Sequence, residues 1–301
     1  MLFRSDAELL FLISGGASSL VERLVDGVTL DDLQRVNQWL LASGLDIHTM
    51  NYVRKSLSLI KGGRLAHTLG GRKTLALLIS DVPGDDPATI GSGLLVPAHF
   101  VETDLSLELP QWVTALMSGG VPAPASDDFI FKNITLEIVA SLDDAKQAAA
   151  ESGRQLGYAV YQHAGVLQGD AVLVARQLAV ELLNGPAGLH IWGGETTLQL
   201  PSQPGRGGRN QHLALVVATE LSGCDGVFFL AAASDGSDGP TDDAGGFVDG
   251  ETVARGRVAG FDANAALANA DAGTFLAASG DLIRTGPTGT NVMDLLLGVK
   301  V

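Results

Sequence analysis

Basic residues are few: 19 Lys and Arg face 34 Asp and Glu, a formal net charge of −15 over 301 residues. Such a chain has no basic face to offer nucleic acid or an anionic membrane, so neither is expected as a partner. Cysteine occurs once. Cys224 by itself excludes a disulfide framework and a zinc cluster, and it fits a reducing cytoplasm, the expected compartment. Between Gly223 and Asp225 it reads as a packing or loop thiol rather than a nucleophile. No apolar run approaches the ~20 residues of a membrane span, and no basic segment leads into an apolar one. The six histidines show neither H-x-x-x-H nor H-E-x-x-H spacing, which argues against a histidine metal centre. Two common nucleotide signatures, G-x-x-x-x-G-K-[ST] and G-x-G-x-x-G, are missing as well.

What is present is the composition of a packed protein, 46% apolar and 18% charged, with 38 glycines that often fall in pairs. Short apolar runs alternate with amphipathic stretches, the pattern of an α/β protein built on a mainly parallel sheet. Strands are expected at Leu9–Ile13, Thr74–Ile79, Ile134–Ala140 and Val227–Ala232, with a final apolar segment at Val292–Val299. Leu189–Trp192 and Thr196–Leu200 read as a strand pair around Gly193-Gly194-Glu195. Helices are expected over Thr29–Ser43, where Thr29 and Asp32 suit an N-cap, over Asp46–Ile60, and near Leu105–Met117, Asp143–Gln155 and Asp170–Leu183. Another helix opens after Gly205–Arg209 and runs to Leu221. The texture changes around Asn184-Gly185-Pro186, placing a domain boundary near 185.

Five loops could carry chemistry. Ser14-Gly15-Gly16-Ala17-Ser18-Ser19 follows a strand, and its small residues and hydroxyls suit a phosphate or carboxylate, though an ordinary tight turn has the same look. Asp81 stands at a strand's carboxyl end, where open α/β sheets hold ligands; Asp85 and Asp86 suit the cap of a helix starting at Pro87. Gly205-Arg206-Gly207-Gly208-Arg209-Asn210-Gln211 offers a guanidinium and backbone N–H groups to one anion, with glycine removing the Cβ that would block its approach. A long acidic loop is expected from Ser234 to Gly250; its first part, Ser234–Asp243, carries Asp235, Asp238, Asp242 and Asp243, which would repel one another without a cation among them. It is no EF-hand, so a Mg²⁺ site shared with phosphate oxygens stands against a plain solvent loop. Gly286-Pro287-Thr288-Gly289-Thr290-Asn291 adds hydroxyls and an amide, and Glu195 is a lone acid after two glycines.

In this order the loops resemble the glycerate 2-kinase family with a C-terminal MOFRL domain. The resemblance is carried by FLISGGASSL (11–20), VRKSLSLIKGGRLA (53–66), ISDVPGDDPATIGSG (79–93), WGGETT (192–197), GRGGRNQHLAL (205–215), SDGSDGPTDDAGGFVDG (234–250) and GPTGTNVMDLLLG (286–298). It implies a Rossmann-like α/β domain over 6–185, incomplete at its start, then a smaller MOFRL-type α/β domain over 186–301, with the site between them. It implies ATP-dependent phosphorylation of D-glycerate to 2-phosphoglycerate with Mg²⁺, and leaves room for a homodimer. The family's functional arginine falls on Arg209, with Asn210 and Gln211 following as its pattern expects. Arg209 and Asp235 are the expected catalytic residues. Ser14, Gly15, Gly16, Ser18, Arg54, Lys61, Asn210, Gln211 and Thr288 are expected to bind substrate or phosphate, and Asp81, Asp235 and Asp238 the metal.

Two departures stand out. His212 occupies a place where the family usually has Glu, and an N-terminal lysine of the family has no counterpart. Met1–Ser5 back-translate to the end of a sequencing adapter and are set aside, so a truncated frame, inactive by itself, is expected. A NAD(P)-dependent hydroxypyruvate reductase and a non-catalytic small-acid-binding protein are the rival readings.

Overall fold

The structure, a computed structural model, describes residues 7–97 and 109–301. The segment set aside at Met1–Ser5 and the first part of the helix expected from Leu105 lie outside the described residues.

Strand β1 (Leu9–Ile13) leads through the glycine loop into the single turn α1 (Ala17–Leu20). Helix α2 (Leu30–Ala42) follows, opened by the expected cap: Thr29 Oγ1 accepts the Asp32 N–H (3.1 Å) and the Asp32 carboxylate accepts the Thr29 N–H (2.9 Å). Helix α3 (Ile47–Ser56) packs Val53 against Val36 and Leu40 of α2. It stops short of the expected Ile60 because Ser58 Oγ accepts the N–H groups of Ile60 and Lys61, replacing the helical pattern with a side-chain-capped turn. Short α4 (Leu65–Leu69) precedes β2 (Thr74–Ile79), which pairs in parallel with β1. No helix starts at Pro87. Asp86 accepts the Ala88 N–H, and only a 3-10 turn at Ile90–Ser92 follows. After α5 (Gln111–Met117), β3 (Ile134–Ala140) completes a three-stranded sheet ordered β1-β2-β3.

The second compact unit begins with α6 (Leu142–Gln155), β4 (Val160–Gln162), β5 (Leu167–Asp170) and α7 (Ala171–Asn184). Then come β6 (Gly188–Thr197), α8 (Arg209–Glu220), β7 (Val227–Ala233) and β8 (Gly245–Asp249). Three short helices, α9 (Thr252–Val258), α10 (Ala263–Ala268) and α11 (Ala272–Ser279), lead to β9 (Leu282–Ile283) and β10 (Asp294–Lys300). The sheet runs β4-β6-β10-β7-β8-β9, with β5 also on β6. Only β4 and β5 lie parallel to β6. The other pairings are antiparallel, so the parallel pattern expected from sequence describes β1–β2 and the β6 edge rather than the larger sheet. Leu178 and Leu182 of α7, Leu213 and Val217 of α8, Phe229 of β7 and Leu296 of β10 share its main core.

The glycines at 193 and 194 do not turn: Gly194 pairs with Asp294 on one side and Leu167 on the other, so β6 runs unbroken to Thr197. The acidic loop is not loop throughout, since Gly245–Asp249 pairs with β7 as β8. Compact packing divides the chain between Val139 and Ala140, because α6, β4, β5 and α7 all assemble on the β6 sheet. Among the described residues, no helix is long and apolar enough to cross a membrane.

Candidate functional site

In the second unit one end of the sheet gathers the tip of β6, the head of α8, the turn after β7 and the start of β10. Arg209 is the first residue of α8, and Asp294 opens β10 with its carboxylate buried. Arg209 donates to it in a fork, Nε to Oδ2 at 2.8 Å and Nη2 to Oδ1 at 3.1 Å. Its Nη1 meets Glu195 Oε1 of β6 at 2.9 Å, and that carboxylate is 46% exposed. Burial works to lower the Arg209 pKa, but the hydrogen bond and charge of Asp294, aided by Glu195 and Asp238, raise it well above the usual value. The group is a permanent cation with one edge fixed and another reachable from solvent.

Asp238, expected at a metal, serves α8. Its Oδ1 accepts the Asn210 N–H at 3.0 Å and its Oδ2 the Gln211 N–H at 2.8 Å, closing two amides that a helix leaves open. Burial pushes its carboxyl up to about 6 against those two hydrogen bonds. Gly208 makes room for it: a Cβ there would lie 2.4 Å from the Asp238 carboxylate. The glycines of this loop thus admit an anion of the chain's own. Asn210 and Gln211 are buried, and Gln211 Nε2 donates to Thr241 Oγ1 at 2.9 Å. His212, in the next place, is buried as well; desolvation lowers its pKa, with Asp170 opposing.

Asp235 lies in the turn after β7, where its Oδ1 accepts the Ser237 N–H at 2.9 Å. The Thr288 hydroxyl donates to the Ser234 carbonyl at 2.6 Å and the Thr288 N–H to the Asp235 carbonyl at 3.1 Å, so the 286–291 loop is pinned to this turn. Sequence reasoning passed over Asp294 and gave Glu195 no role. The signal for Asp294 was available: an acid directly before Leu295-Leu296-Leu297 enters a buried strand and needs a cation partner.

In the first unit the glycine loop and Asp81 come together. A Cβ on Gly15 would collide with the Asp81 carboxylate, so the glycine lets the loop close directly on it. Burial raises the Asp81 pKa, opposed by the Asp81 and Gly16 amides. Ser18 Oγ meets Ser92 Oγ at 2.7 Å, and the Ser14 hydroxyl is exposed. The expected cations are engaged elsewhere. Lys61 is buried against Glu22 at 2.6 Å, and Arg54 Nε donates to Asn37 Oδ1 at 2.9 Å, tying α3 to α2. Among the described residues, no three His, Cys, Asp or Glu side chains are grouped to hold a metal ion.

Comparison with known proteins places these features in a family. A domain of unknown function (DUF4147) matches residues 2–120 and the MOFRL family matches residues 188–294. The D-glycerate 2-kinase of Thermotoga maritima is 37% identical over 97% of this chain and 72% of its own length. A protein of Agrobacterium vitis with the provisional name hydroxypyruvate reductase is 38% identical over 94% of this chain and 68% of its own. The crystal structure of a Thermotoga maritima glycerate kinase superposes with a TM-score of 0.86 at 35% identity, covering 100% of this chain and 74% of that one.

Proposed function

Because the chain belongs to the glycerate 2-kinase family and carries a MOFRL region, we propose that it transfers the γ-phosphoryl group of ATP to the 2-hydroxyl of D-glycerate. Phosphoryl transfer asks a protein mainly to position the reactants and to neutralise charge spread over the equatorial oxygens. The observation that carries this reading is Arg209. Asp294 fixes its Nε and Nη2 edge, while its Nη1 is held by a half-exposed carboxylate that an anionic substrate can replace. In that place the guanidinium neutralises the transferring group, a role worth roughly 10³–10⁵ in rate for comparable arginines.

Asp235 keeps one carboxylate oxygen clear of protein partners among the described residues, which suits Mg²⁺, an ion bound through one or two carboxylates plus phosphate oxygens. The ion would screen phosphate charge; Asp238, committed to α8, is not assigned to it. In the first unit, Ser14 and Ser18 are the hydroxyls the glycine loop can turn toward the acid, while Asp81 packs against the loop at Gly15.

The test is ADP release dependent on D-glycerate, set against NADH oxidation by hydroxypyruvate. Glycerate-dependent ADP release is expected. Arg209→Lys should keep a charge beside Asp294, lose the fork and lower kcat by about 10²-fold or more. Turnover near normal in that variant, or NADH consumption in place of ADP release, sinks the assignment.

A further inference from the structure

The glycine loop before α8 carries a second arginine that the Arg209 site does not use. Arg206 and Arg284 line a cavity of about 640 Å³, together with Ser237, Thr241, Asp242 and Asp243. That volume lies within the ~300–1,000 Å³ usual for small-molecule sites. Asp243 is buried and both its oxygens are taken: Oδ2 by Arg206 Nη2, and Oδ1 by Arg284 Nε at 2.7 Å.

A buried carboxylate needs one cation to offset its charge, and here it has two. The three groups carry an excess positive charge in a chain whose net charge is −15. Two guanidiniums held on one carboxylate repel each other, and a second anion in front of them relieves that repulsion. Arg206 is fixed for this role, its N–H donating to Asp271 Oδ1 at 2.8 Å and its Nη1 to the Gly273 carbonyl at 3.3 Å. Arg284 is different. Its side chain is 70% exposed, and its two terminal nitrogens have no protein partner among the described residues.

We infer that this cavity seats the polyphosphate chain of a nucleoside triphosphate, with the terminal nitrogens of Arg284 as its forked donor and Arg206, held on Asp243, adding its charge beside it. The nucleotide's identity rests on the kinase reading; the anion site itself does not. Asp242, also in the lining, opposes an anion, so removing its charge strengthens binding.

Calorimetric titration of the chain with sodium tripolyphosphate, without metal, tests the site apart from turnover. The unaltered chain should bind it, Arg284→Gln should weaken binding about tenfold or more, and Asp242→Asn should tighten it a few-fold. ATP should follow tripolyphosphate through both variants, and the response to adenosine should be the same in all three proteins. No binding by the unaltered chain, unchanged affinity in Arg284→Gln, or weaker binding in Asp242→Asn would each overturn the inference. If the Arg284→Gln loss appears but glycerate-dependent ADP release does not, the anion site stands and the kinase reading falls.

Discussion

Asp238 holds the head of α8 with a carboxylate that burial pushes up to about 6, above the ~3.9 of an unfolded chain. The folded state therefore binds more protons than the unfolded one between those values, and its stability falls as pH rises through that window. A shift of two units corresponds to roughly 3 kcal/mol as an upper bound. Urea unfolding at pH 4 and pH 6.5 should show this decline, and Asp238→Asn should flatten it. A variant with the slope of the unaltered chain would remove Asp238 as its source. Arg209 obeys the same logic of pairing. Truncating it to Ala strips the buried Asp294 of its cation, a change that typically costs ~3–5 kcal/mol, so lost activity in that variant would confound chemistry with folding.

At the scale of elements, α8 has no side-chain cap from its own first residues; its cap arrives from the turn after β7, through a gap that Gly208 leaves. Gly208→Ala should push Asp238 off the helix and cost about 1–3 kcal/mol, read as a lower urea midpoint at an unchanged m-value. An unchanged midpoint would mean that the contact yields freely. Elements of this kind mark the limit of what sequence discloses. Thr29 and Asp32 announced α2 because a capping box is local, and Thr74–Ile79 announced β2 because an apolar run between turn residues is local too. β8 went unread, since Gly245-Gly246-Phe247-Val248-Asp249 becomes a strand only by pairing with β7. Arg209 lies in a glycine loop that the sequence singles out. Its pairing with Asp294 is not legible there, because Asp294 lies 85 residues away and meets it only once the sheet is built.

For the whole molecule, packing divides the described residues into two units, and each has hydrophobic clusters of its own. Val36, Leu40, Val53, Leu57 and Val113 form one in the first unit, while α7, α8 and the β6-β10-β7 strands share a larger one in the second. Residues 140–301 expressed alone should consequently unfold in one cooperative transition, with coincident far- and near-ultraviolet circular dichroism melts. A broad melt without near-ultraviolet signal would show that this core needs the rest of the chain.

Strand β10 is last in chain order yet sits between β6 and β7, with Asp294 opposite Gly194 across 100 residues of sequence. During synthesis, β4, β5 and β6 on one side and β7, β8 and β9 on the other must wait as two half-sheets with bare edges until the closing strand leaves the ribosome. Bare edges recruit strands from other chains, and pairings this distant in sequence form slowly. The interval before residues 294–300 emerge is thus when the nascent protein is most exposed to aggregation and most dependent on chaperones.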